Sequence, residues 1–191
     1  MGPLEQRHAA LAQRQHGLAT RGQLSAIGMS DSRIEYRLRS EAIYRVYESV
    51  YRLASHPVTW RQRLLAACWA GGDQRQAVVS HRAAAALLTL PGGSELAEIT
   101  SPRHLRARHQ GVITHESLIL EDRDVHYVDE IPVTRPARTL CDLASLVVAR
   151  ELERSTLELA MVKPCVSTGS IRTCCDCSGS ASVGSSDPVG D

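Results

Sequence analysis

A chain of 191 residues is long enough for one or two domains, and 43% hydrophobic with 23% charged residues is the balance of a globular protein with a buried core. A net charge of +1 excludes a protein that holds polyanions by bulk charge alone. No run of 18 apolar residues exists, and Met-Gly-Pro-Leu-Glu-Gln-Arg-His at the N-terminus has no apolar signal core, so neither a membrane span nor a secretory leader is expected and a cytoplasmic location is the default expectation.

Leu4, His8 and Leu11 recur at helical spacing and predict a first helix over residues 4–15, closed by Gly17. Thr20 then caps a short second helix over 21–27, with Leu24 and Ile27 facing inward and Gly28 ending it. Met29 and Ser30 form a turn, and Ser30 or Asp31 caps a third helix to about residue 40. Ile34 and Leu38, four apart, face inward and leave Ser32, Arg33, Glu35, Tyr36, Arg37 and Arg39 for the other faces. Residues 43–47 and 49–53 alternate as a β-hairpin that turns at Glu48 and Ser49. Two helices joined by a tight Gly-containing turn and followed by a hairpin are a winged helix-turn-helix over residues 1–56, with the third helix as reader in the major groove and the wing along the phosphates.

A second unit is expected over residues 57–162. Residues 58–70 are helical, with Trp60, Leu64, Leu65 and Cys68 on one side. Ser80 caps a helix over 81–90, which Pro91-Gly92-Gly93 breaks. Residues 96–100, 111–115 and 124–127 read as short strands, Pro132 marks the end of the strand region, and residues 134–161 read as one long helix with a break near Ser145. Cys68 and Cys141, inside helical patterns, read as buried thiols of a reducing compartment. Residues 163–191 contain no Leu, are rich in Ser and Gly, hold four of the six Cys and read as a disordered tail. The expected fold class is α+β: a winged helix-turn-helix, then a small mixed α/β domain ending in a long helix.

Gly17-Leu18-Ala19-Thr20-Arg21-Gly22-Gln23-Leu24, Ile34-Glu35-Tyr36-Arg37-Leu38 and Tyr44-Arg45-Val46-Tyr47-Glu48-Ser49-Val50-Tyr51 resemble the N-terminal domain of the AbiEi family of antitoxins. The resemblance continues through Ser80-His81-Arg82-Ala83-Ala84-Ala85 and the more distinctive Ile131-Pro132-Val133-Thr134-Arg135-Pro136-Ala137-Arg138-Thr139-Leu140-Cys141-Asp142-Leu143-Ala144, and so covers residues 4–161. It implies a winged-helix transcriptional regulator of a type IV toxin–antitoxin system. Such a regulator represses its own operon through inverted repeats, as two copies on DNA, and its second domain counters a separate toxin chain. Many actinobacterial proteins of this type carry a further domain similar to very-short-patch-repair endonucleases, with a PD-(D/E)xK cluster. After Met161 this sequence offers only Asp176, Asp187, Asp191 and Lys163 toward such a cluster, so a shifted frame or a truncation is the expectation there, and an inactive nuclease remnant is the rival reading.

The first 60 residues carry Arg7, Arg14, Arg21, Arg33, Arg37, Arg39, Arg45 and Arg52 against five acids, so DNA binding depends on where these side chains point. On the third helix Ser30, Ser32, Arg33, Tyr36 and Arg37 are the candidates for base edges or phosphates, Arg being the common reader of guanine. The plainer alternative is a solvated face with Glu35 and Arg39 as an i,i+4 pair. On the wing, Arg45 and Arg52 suit phosphates, with Tyr44 or Tyr51 adding hydroxyls; alternatively Tyr47 and Tyr51 are cross-strand packing. Thr20, Arg21 and Gln23 offer amides and side chains to one phosphate, or Thr20 is only a cap.

Ser80-His81-Arg82 invites a nucleophile–base reading, but neighbours in sequence do not make such a pair alone, and a helix cap followed by exposed residues is the simpler account. Arg138 and Asp142 are set to pair on one helix face, with Thr134 or Thr139 adding a cap or back-bond. No zinc site is expected from His104, His109, His115 and His126, whose spacings fit no compact ligand pattern. Cys174 and Cys177 have a metal-like spacing without a completing pair. No enzyme activity, cofactor or metal is expected, and the only partners expected are duplex DNA and a toxin, alongside a second copy of the chain.

Overall fold

The computed structural model describes residues 2–70, 77–101, 111–117, 119–144 and 146. Pro3 stands in the first turn of α1 (Pro3–Arg14), where its missing N–H breaks no helical bond. The helix closes on Gly17, whose amide donates to Ala12 O at 2.7 Å. Gly17 has φ +84°, and a Cβ there would stand 2.4 Å from Cβ of His56, so both conformation and close approach require glycine. The next three residues form β1 (Leu18–Thr20), a strand not foreseen from the sequence, which runs directly into α2 (Arg21–Ala26).

Thr20 caps α2 through a reciprocal box: its Oγ1 accepts from Gln23 N at 3.2 Å, and Gln23 Oε1 accepts from Thr20 N at 2.9 Å. Gly28, at φ +93°, makes the tight turn into α3 (Asp31–Arg39), where Ser30 Oγ accepts from Arg33 N at 3.4 Å. The hairpin β2 (Ile43–Tyr47) and β3 (Val50–Leu53) turns at Glu48 and Ser49 as expected, with a bulge between Arg45 and Tyr47. The sheet is antiparallel, in the order β1-β3-β2.

In this small sheet β1 and β3 are covered on both faces, while β2 is exposed along most of its length. On one face, Ala19, Ile43 and Tyr51 pack with Leu24, Met29 and Ile34 of the helical layer. On the other, Leu18 and Val50 join a core with Leu64, Leu65 and Cys68 of α4 (Trp60–Trp69) and with Val79, Ile99, Ile131 and Val133 of a second sheet. Each such aliphatic side chain, fully withdrawn from water, stabilises the fold by about 1.5–3 kcal/mol.

The second sheet contains β4 (Val78–Val79), β5 (Ala97–Ser101), β6 (Val112–Glu116), β7 (Val125–Val128) and β8 (Ile131–Thr134), in the order β6-β5-β4-β8-β7. The β5–β6 and β4–β8 pairs are parallel and the others antiparallel. Helix α5 (His81–Leu87) packs on β5 and on α6 (Pro136–Leu143). The mixed α+β class therefore holds.

Three expectations are corrected. Residues 131–134, read as the end of the strand region and the start of the long helix, are the strand β8, and α6 begins at Pro136. Pro132 is tolerated because β8 meets the two-residue β4 only at Val79–Val133, which asks no amide of Pro132. Helix α5 stops at Leu87 instead of 90, with the chain turning at Thr89 in a left-handed conformation (φ +58°). Ser80 precedes α5 but makes no side-chain cap. The remainder of the expected long helix and the tail over 163–191 lie outside the described residues, as do His104 and His109.

Polar contacts tie the two sheets' surroundings together. Asp129 and Glu130 turn β7 into β8 with φ +50° and +64°, the pattern of a type I′ hairpin turn. Asp129 O meets His16 Nε2 at 2.8 Å, Asp129 also pairs with Arg61, and Glu130 lies 3.6 Å from Arg14. Gln62, buried on α4, donates from Nε2 to His16 O at 2.6 Å.

Candidate nucleic-acid interface

Helix α3 turns Ile34 inward, with Leu38 half-buried against the same core. The opposite face carries Ser32, Arg33, Tyr36 and Arg39, all exposed; Tyr36 keeps 65% of its surface in solvent, an unusual position for a large aromatic side chain. Arg39, which the sequence left among the other faces, shares this surface and is held by a 3.4 Å bond from Nε to Glu35 O. The Glu35–Arg39 side-chain pair of the plainer alternative does not form: the Glu35 carboxylate turns to Arg45 on the wing, 3.6 Å away.

Two ion pairs bring the candidate residues onto one surface. Arg21, at the start of α2, pairs with Asp31 at the start of α3 at 2.9 Å, and Arg45 on β2 pairs with Glu35. All four side chains are more than half exposed. The Arg21 guanidinium holds the Asp31 carboxyl below the usual carboxylate range. Exposed pairs of this kind contribute about 0–1 kcal/mol, so a phosphate can take the place of either carboxylate at small cost.

Arg33 and Arg37 turn instead toward α1. Arg33 Nη2 donates to Glu5 Oε1 at 2.5 Å, and local backbone bonding, then Arg33, keeps the Glu5 carboxyl below its usual range. Arg37 Nη1 lies 2.6 Å from His8 Nδ1. Burial, reinforced by the charge of Arg37, pushes His8 down to about 4. His8 is therefore neutral near pH 7, and its Nδ1 accepts the proton that the guanidinium donates.

The wing and the start of α2 differ from the sequence reading in detail. Arg52 donates to the carbonyls of His56 at 2.6 Å and Leu53 at 3.4 Å, and its guanidinium stacks 4.9 Å from the Tyr44 ring, so it braces the hairpin from its central strand. Tyr51 is core, and Tyr47 is half-buried against the second sheet's core. The amides expected to greet a phosphate at α2 are occupied: Arg21 N donates to Ser49 O at 2.8 Å, and Thr20 and Gln23 satisfy one another. Thr20 and Gln23 are cap residues here, and Arg21 is left to present its side chain. Ser30 is likewise the cap of α3.

A second polar cluster lies in the other half of the fold. Ser80, expected as a cap, and His81, expected to be exposed, are 0% and 8% exposed. The reason is topological: they sit where β4 enters α5, against β5 and β6. Ser80 Oγ accepts from Thr100 Oγ1 at 2.7 Å and meets His81 Nδ1 at 2.9 Å. The His81 ring stacks on His115 with centroids 3.6 Å apart. Burial, then the neighbouring His115, lowers His81 to about 4. Ser80 is fully buried, and its hydroxyl is engaged by Thr100 and His81.

Arg138 organises the residues beside it. It donates to Asp142 Oδ1 at 2.9 Å, to Ile119 O at 2.8 Å and to Ser117 Oγ at 3.0 Å, and stands 3.8 Å from Asp124. Burial raises the Asp142 carboxyl against the lowering by Arg138. Thr139 Oγ1 back-bonds to the carbonyls of Thr134 and Arg135, both at 3.1 Å, and meets Thr134 Oγ1 at 2.7 Å. The Arg138–Asp142 pair and the threonine back-bond thus match the sequence reading.

Residues 6–54, the helical layer and its sheet, match the family described as transcriptional regulator, AbiEi antitoxin. No curated protein matches the chain. No helix among the described residues is long and apolar enough to cross a membrane.

Proposed function

We propose that this chain is a DNA-binding transcriptional regulator of the AbiEi-antitoxin kind, with residues 1–56 as its DNA-binding domain and 57–162 as the antitoxin-like domain. The observation that carries the reading is the surface on which the Arg21–Asp31 and Arg45–Glu35 pairs converge beside the exposed outer face of α3. Helix α3 enters the major groove with Ser32, Tyr36 and Arg39 outermost and with Arg33 exchanging Glu5 for the DNA, while Arg21 and Arg45 flank it on the phosphates. Arg37 supports from behind through His8, and Arg52 holds the wing.

Two copies on an inverted repeat give the symmetry that a single reader helix lacks, and repression of the chain's own operon follows from such a site. The second domain then meets a separate toxin chain. The match over residues 6–54 supports the regulator reading, and the remaining steps are our own extension of it.

The test is selection of bound duplexes from a random pool by the full chain, followed by titration of the selected duplex at two salt concentrations. An inverted repeat should emerge, with affinity that falls steeply as salt rises. Enrichment of no sequence, or binding indifferent to salt, would refute the proposal and favour a winged helix that packs on protein.

A further inference from the structure

We propose that His81, Glu98 and His115 form a site for one divalent transition-metal ion, zinc by the type of donors, independent of the DNA-binding surface. One donor atom from each of the three residues lies within 4.8 Å of the other two. Tetrahedral ligation at 2.0–2.2 Å sets its donors about 3.4 Å apart, so side-chain rotation has to draw this cluster inward to take up the ion. Two His and one Glu form the three-ligand set that leaves a fourth position to solvent.

The site is built by three elements. Glu98 and Thr100 share a face of β5, and the parallel partner β6 sets Ile113 opposite Glu98 and His115 opposite Thr100, so His115 emerges on that same face. Helix α5 packs over β5 and begins at His81. His81 has φ +51°, a left-handed conformation that is strained for a residue other than glycine. Such strain is concentrated at ligand-binding positions, and here it falls on the residue whose ring completes the cluster.

The polar bookkeeping around the cluster points the same way. Glu98 is 1% exposed, and its carboxylate receives the Arg82 amide at 3.0 Å without a cationic side chain in hydrogen-bond contact among the described residues. A carboxylate so buried calls for a positive partner. His115 Nε2 is buried and has no hydrogen-bond partner among the described residues. On His81 the neighbouring Ser80 Oγ engages Nδ1 and is itself held by Thr100, which fixes the ring and leaves Nε2 to ligate. Both features suit neutral imidazoles, the form that binds metal.

The experiment is a Co²⁺ titration of the chelator-stripped full chain, read by visible absorption and by calorimetry. One Co²⁺ per chain should bind, with the d–d bands of nitrogen and oxygen ligation and without the near-ultraviolet charge-transfer band of a thiolate. Replacing Cys165, Cys174, Cys175 and Cys177 together by Ser should leave the binding intact. Glu98→Gln, nearly isosteric, and His115→Ala should each weaken it about tenfold or more, with folding checked by circular dichroism. No stoichiometric uptake by the parent chain overturns the proposal, as does uptake that follows the cysteines and persists in Glu98→Gln. Should His115→Ala unfold, Glu98→Gln and the parent spectrum decide alone.

Discussion

Arginine is used in two opposite ways in the two halves of this molecule. In the first half, Arg21 and Arg45 lie at the surface, each held by a single exposed carboxylate. In the second, Arg138 is 15% exposed at its side chain and donates to two side chains and a carbonyl at once. The first arrangement keeps a charge positioned yet exchangeable, as a phosphate-binding surface needs. The second fixes one geometry, joining α6 to the segment around Ser117 and Ile119. Placement and exposure, with the same residue type, decide which half can meet a polyanion.

The sharpest way to break this contrast is to remove both kinds of arginine and compare. Arg138→Ala leaves Asp142 buried without its guanidinium partner, and should cost about 3–5 kcal/mol of unfolding free energy in urea. A core substitution on the sheet common to both halves tests whether they unfold as one. Leu18→Ala should cost about 2–5 kcal/mol and shift a single transition, and two separated transitions would show that the halves unfold independently.

On the DNA side, Arg33→Ala, or Tyr36→Ala at the outermost position of α3, should weaken binding to a selected duplex by about 1–3 kcal/mol and relax its sequence preference, measured by competition titration. Arg21→Ala should change stability by less than about 0.5 kcal/mol while lowering the salt slope of DNA binding by about one. A large loss of stability in this last variant would place Arg21 with Arg138 and erase the contrast.

Acid provides a separate handle on both halves. His8 and His81 are each lowered from an ordinary 6.5 to about 4 by burial. Both are neutral when folded, and the unfolded chain binds their protons first. Stability should therefore be full above pH 6.5 and fall as the pH drops from about 6.5 toward about 4, traced by urea midpoints across that range. Replacing His8 by Gln should flatten part of this dependence.

Much of the first half was legible in the sequence because its signals are local. Thr20 and Ser30 cap, Gly17 and Gly28 turn, and Ile34 with Leu38 sets the buried side of α3. Strands β1 and β4, of three and two residues, are too short to show any period, and Pro132 disguised β8. The contact surface was half legible: the residues of α3 were named, but their division between Glu5, His8 and solvent depends on where α1 packs. The cluster of His81, Glu98 and His115 was hidden for the same reason. Its members lie on three successive elements and meet only through the packing of α5 on β5 and the parallel pairing of β5 with β6. Ser80 and His81 were noticed as neighbours, yet hydropathy could not show that the strand before them enters the core.

Strands β1 and β3 of the small sheet, walled on both sides, bear on how such proteins can be recombined. A reader cassette cut after residue 56 would lay Leu18 and Val50 open to water, since the side chains that cover them come from α4 and the second sheet. On the proposed function, exchanging DNA specificity between relatives of this architecture is therefore better done by grafting the outer face of α3 than by swapping whole N-terminal segments. A crossover that keeps α4 with its native strands preserves the common wall and leaves the reading face free to vary.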